Sequence, residues 1–73
     1  MSSEELLRKT IEDKGLTLSY ISEVTGIPVD RLNVIMNDVS KAVGVEIQTL
    51  STALEMPNNL RRNVWFNRDL PLD

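Results

Sequence analysis

Apolar residues recur along this chain at helical spacing and nowhere alternate in the two-residue rhythm of a strand. Leu6, Leu7 and Ile11 mark a first helix that runs up to Gly15. Ser2 followed three residues later by Glu5 has the form of a capping box, which satisfies two orphan N–H groups at a helix start. Thr17 is placed to cap a second helix over about Leu18 to Thr25. In it Ile21 faces inward, small Ser22 permits close approach, and Gly26 supplies a left-handed stop. Pro28 suits the first turn of a third helix, because its missing N–H has no partner there, and Asp30 complements the dipole of the same turn. That helix spans about Pro28 to Asn37, with Leu32 and Ile35 as its buried side.

After a polar break at Asp38 to Lys41, the spacing of Ile47, Leu50, Ala53 and Leu54 marks a fourth amphipathic helix. It ends before Met56-Pro57, since a residue preceding proline is pushed out of the helical region. Asn58 is placed to cap a short fifth helix carrying Leu60, Val64, Trp65 and Phe66. The pattern therefore predicts an all-α fold, a compact bundle of four to five short helices. Residues 1–66 make one domain and residues 67–73 a C-terminal tail that is frayed or extended.

Composition narrows the chemistry. A chain of 73 residues with 41% hydrophobic content supports one small domain, burying roughly 60% of its unfolded surface. Cysteine and histidine are both absent, which removes disulfides, thiolate metal sites and the commonest general base. No nucleophile stands beside a base, and neither a glycine-rich phosphate loop nor a metal-ligand cluster is present. The adjacent acids Glu4 and Glu5, or Glu12 and Asp13, read as solvated helix surface. The expectation is a non-enzyme without cofactor or metal. No apolar run approaches the roughly 18 residues of a membrane span, and MSSEELLRK lacks a secretory apolar stretch. No helix carries the strongly basic polar face of a membrane-surface binder. A cytoplasmic protein without membrane partners is expected.

Net charge is −3, whereas a dedicated nucleic-acid binder is usually basic, because phosphate neutralisation supplies most of its affinity. Leu16 to Lys41 contains only Arg31 and Lys41 against Glu23, Asp30 and Asp38. The other cations gather at Arg8, Lys9 and Lys14 and at Arg61, Arg62 and Arg68, where they touch a backbone or keep the surface soluble.

From about Leu6 to Leu60 the chain resembles, without a gap, the phage repressor and Cro type of helix-turn-helix domain, the Xre-like or lambda-repressor-like family. Leu16-Thr17 opens helix two, Ile21 lies on it, Gly26-Ile27 forms the turn, and Leu32 and Ile35 lie on helix three. Asn37-Asp38 stands where the family often has Asn-Gly, and Leu50-Ser51-Thr52-Ala53-Leu54 resembles its Leu-Ala-x-Ala-Leu. The resemblance implies that early helix-three side chains enter the major groove, and that the first residue of helix two, commonly glutamine, lies near the backbone.

Those positions fall here on Leu18, Val29, Asp30, Asn33 and Val34, with Asn37 and Lys41 as backbone contacts. Val29 or Val34 can touch a thymine methyl and Asn33 can pair with adenine, but Asp30 meets phosphate with the wrong sign. Against a protein, Leu18, Val29 and Val34, with Tyr20 and Val24 beside them, make an apolar strip with Tyr20 as an anchor. An acidic pair of helices fits the basic DNA-reading face of a related repressor. The resemblance thus implies a small phage transcriptional regulator whose partner is a repressor protein, antirepressor-like, with Cro-like binding of duplex DNA as the alternative. Plainer roles stand beside these: Leu18 and Val24 extend the core, Asp30 stabilises its helix, and Asn37 is a cap. Trp65 or Phe66 closes the bundle over helix one, or forms a weak homodimer contact.

Overall fold

A computed structural model describes residues 2–66; Met1 and the expected tail at 67–73 lie outside the described residues. Five helices follow in order: α1 (Ser3–Asp13), α2 (Leu18–Thr25), α3 (Val29–Asn37), α4 (Gly44–Ala53) and α5 (Asn58–Trp65), with no strand among the described residues. None of the described helices is long and apolar enough to cross a membrane.

Local chemistry sets the ends. The Ser2 hydroxyl accepts the Glu5 N–H at 3.1 Å and the Glu5 carboxylate accepts the Ser2 N–H at 2.8 Å, so the capping box forms in full. Gly15, at φ +67°, closes α1: its N–H bonds the Glu12 carbonyl and the Leu16 N–H bonds that of Ile11. That pairing is a Schellman motif, which calls for a left-handed residue. The same pattern ends α4, where Glu55 donates to Thr52 and Met56 to Ser51. Here the left-handed position is held by Glu55, the sole non-glycine residue with positive φ among those described (54°).

The third and fifth helix starts differ from expectation by one residue. Pro28 occupies the cap position of α3 and Pro57 that of α5, and neither helix has a side-chain cap. Asn58 is therefore the first residue of α5 rather than its cap. The chain between α3 and α4 is more ordered than a polar break. Val39–Lys41 forms a single 3-10 turn whose Val39 is buried and whose N–H donates to Glu4 of α1 at 3.0 Å.

α1 packs on α5 and α3, and α2 packs on α3 and α4. The faces that meet supply one core: Leu7 and Ile11, Ile21 and Ile27, Leu32 and Ile35, Val39, Leu50 and Leu54, Met56, Val64 and Trp65. Trp65 and α4 are joined by a buried bond, the indole N–H donating to the Ser51 hydroxyl at 2.9 Å. Indole is stable inside only when its N–H finds such a partner. Trp65 is thus buried and bonded to α4, where closure over helix one had been expected of it or Phe66, while neighbouring Phe66 stays 56% exposed.

Glu55 offers a direct check on backbone strain. A side chain in the left-handed region costs of order 1 kcal/mol relative to glycine, and the exposed Lys14–Glu55 pair at 3.8 Å returns little of it. Glu55→Gly is expected to raise unfolding stability by about 0.5–1 kcal/mol in urea titration. A loss of stability would mean that the left-handed turn is not strained.

Candidate interaction surface

The α2–α3 pair is held by its own hydroxyls. Thr17 Oγ1 accepts the Tyr20 N–H at 3.1 Å and opens α2. At its other end Thr25 Oγ1 donates to the Ile21 carbonyl at 2.6 Å and accepts the Ile27 N–H at 3.2 Å. Gly26 (φ +80°) makes the turn between them. Buried Ile21, Ile27, Leu32 and Ile35 then fix how α3 is presented.

With about 100° of rotation per residue, burying Leu32 and Ile35 turns the opposite arc of α3 outward in the order Val29, Asn33, Asn37, Asp30, Val34. All five are exposed, Val29 at 37% and Val34 at 39%. The two valines therefore flank a polar ridge instead of joining into a strip.

α2 corrects the expected strip further. Leu18 is half-buried and packs against the core. Tyr20 and Val24, four residues apart and each 50% exposed, lie on the other flank of Ile21. There they border a groove of about 440 Å³ with Gln48, Thr49, Thr52 and Ala53 of α4. The expected apolar set is thus divided: Val29 and Val34 on α3, Tyr20 and Val24 toward α4, and Leu18 half-buried against the core. Helical rotation is the reason, since Leu18 and Tyr20 stand about 160° apart around α2.

Charge on this surface is set by Arg31, one of the two cations between Leu16 and Lys41. Arg31 Nε donates to Glu46 Oε2 at 2.8 Å and Nη2 to Glu46 Oε1 at 3.0 Å, a two-point pairing of α3 with α4. Nη2 also donates to the Lys41 carbonyl at 2.6 Å. Glu46 Oε1 takes the Val43 N–H at 3.0 Å as well, so one carboxylate caps α4 and anchors Arg31. The basic residue of α2 and α3 is thereby withdrawn, leaving Glu23 and Asp30 exposed.

Asn37 is committed internally too. Its Oδ1 accepts from Arg8 Nη2 at 2.9 Å and its Nδ2 donates to the Asn33 carbonyl at 3.0 Å. Arg8 also reaches the Met36 carbonyl at 3.3 Å, so α1 caps the C-terminal end of α3. The expected backbone contact at Asn37 is thus occupied by this chain's own arginine. Lys41 is exposed on the 3-10 turn beyond α3. No spacing rule pairs residues 15 or 29 apart, so neither arginine's partner was readable; a carboxylate three residues after Val43 was the only local sign.

The Arg31 guanidinium holds the Glu46 carboxyl below the ordinary glutamate range, with help from the Val43 N–H and against the opposing effect of burial. Asp38 is lowered by the hydroxyl and N–H of Ser40, and Glu5 by the N–H and hydroxyl of Ser2. A depressed folded-state pKa gives stability that is present above the unfolded value, about 4.3 for glutamate, and is lost as pH falls through the folded value. Thermal midpoints are expected to hold near neutral pH and to drop progressively below about pH 4. Glu46→Gln should lower the midpoint at neutral pH and flatten that drop. An acid limb as steep as that of the unmodified chain would show that Glu46 does not contribute.

Comparison of the chain with protein-family models, with curated proteins and with solved structures gives no match, so the reading of this surface rests on its own side chains.

Proposed function

We propose that the chain is a small transcriptional regulator of the phage helix-turn-helix class that acts mainly by binding a repressor protein, as an antirepressor does. The observation carrying this reading is the outward arc of α3: Val29 and Val34 flank Asp30, Asn33 and Asn37, and the neighbouring arginine is turned into Glu46. A DNA-reading helix needs cations against phosphate, whereas this one offers apolar contact and negative charge. The same combination complements a basic DNA-reading face. Opposite charge speeds encounter, and the valines on either side of the polar ridge add apolar contact that excludes water. A repressor held this way cannot reach its operator.

A second reading, Cro-like binding of duplex DNA, draws on exposed Asn33 between Val29 and Val34, a side-chain set matched to adenine edges and thymine methyls. It predicts a shallow salt dependence, because few cations are available to displace counterions.

The two readings separate experimentally with Val29→Lys and Val34→Glu, both at exposed positions that spare the core. Each is expected to leave the circular dichroism unchanged and to weaken capture of a helix-turn-helix repressor protein by roughly tenfold or more. Unchanged capture with an intact fold would overturn the assignment of this face. Sequence-selective retardation of duplex DNA by the unmodified chain at physiological salt would favour the second reading.

A further inference from the structure

On the α4–α5 side the bundle carries a second recess, of about 490 Å³, which shares only Gln48 with the groove beside Tyr20 and Val24. Gly44, Ile47 and Gln48 line it from α4, at the i, i+3, i+4 spacing of one helix stripe. Asn58, Arg61, Arg62 and Phe66 line it from α5 or its end, again on one stripe. The Trp65–Ser51 bond joins the same two helices.

Three features set what fits there. Phe66, more than half exposed, and half-buried Ile47 both line the recess and give it apolar surface. Arg61 and Arg62 form no salt bridge among the described residues, whereas Lys9, Lys14 and Arg31 are paired with Asp13, Glu55 and Glu46. Two adjacent guanidiniums on a chain of net charge −3 are thus a local positive field in an acidic molecule. Gly44 leaves its end of the recess open, for a Cβ built there meets nothing within 4 Å.

The geometry points to a peptide-docking groove for a short segment of another protein that carries carboxylates next to a large apolar side chain. The carboxylates pair with Arg61 and Arg62, in the forked manner arginine allows, and the apolar side chain packs on Phe66 and Ile47. Asn58 and Gln48 supply amides for the peptide backbone. α5 is about 12 Å long, which matches roughly four extended residues. A nucleic-acid strand fits less well, since two guanidiniums neutralise few phosphates and the recess holds one exposed aromatic ring where successive bases need several.

The test is amide chemical-shift mapping on the full chain with the acetylated, amidated peptide Asp-Asp-Leu-Phe, and with Lys-Lys-Leu-Phe as control. Shifts are expected at Ile47, Gln48, Arg61, Arg62 and Phe66 with the acidic peptide alone. The double change Arg61→Glu and Arg62→Glu should weaken binding more than about tenfold. Gly44→Leu, which fills the recess without touching charge or core, should do the same. Val29→Lys should leave the shifts in place, which separates this groove from the α3 face. No response, an equal response to the lysine peptide, survival of binding in both groove variants, or tighter binding of a short thymidine oligonucleotide would overturn the proposal. So would binding that emerges only after Leu70→Ser and Leu72→Ser, because the chain's own last residues would then be the occupant.

Discussion

The character of this molecule turns on the two-point bond between Arg31 and Glu46. Surface ion pairs ordinarily contribute little, but this one is bidentate, partly shielded and joined to two backbone groups, the Lys41 carbonyl and the Val43 N–H. It fastens α3 to α4 across the intervening turn and starts α4 in one stroke. Its electrostatic effect reaches further than its energetic one. A guanidinium spent on an internal carboxylate is unavailable to a phosphate, so the α2–α3 surface keeps its aspartate and glutamate uncompensated.

Most of the fold was legible because it is written locally. A capping box, two left-handed glycines, two prolines at helix starts and runs of Leu and Ile at helical spacing each act within four residues. Leu32 and Ile35 declared the buried side of α3, and through it the outward arc. Relations across the fold were not legible. Val39 looked like part of a polar break because its burial depends on Glu4, 35 residues away, taking its N–H. Arg61 and Arg62 looked like scattered surface charge, since the recess they border is formed only when α5 is brought beside Gly44, Ile47 and Gln48 of α4. The supposed apolar strip failed for a related reason: listing Leu18, Tyr20 and Val24 together ignored their rotation around α2.

The two surfaces differ in sign as well as position. One presents valines with carboxylates, the other an aromatic ring with guanidiniums. A small domain with little area to spare can in this way serve two unlike contacts without either attracting the other's ligand, since the wrong pairing brings like charges together. Each rests on a helix tied to its neighbours by side-chain bonds, α3 through Arg31–Glu46 and Arg8–Asn37 and α5 through Trp65–Ser51.

Trp65 has a consequence of a different kind. It is the chain's single tryptophan, seated against the Ser51 hydroxyl at the seam of α4 and α5. Intrinsic emission excited in the red edge of the absorption band therefore originates from one known location. Its wavelength and yield report the hydration of that seam, so an unlabelled sample carries a built-in optical gauge of whether α5 is docked.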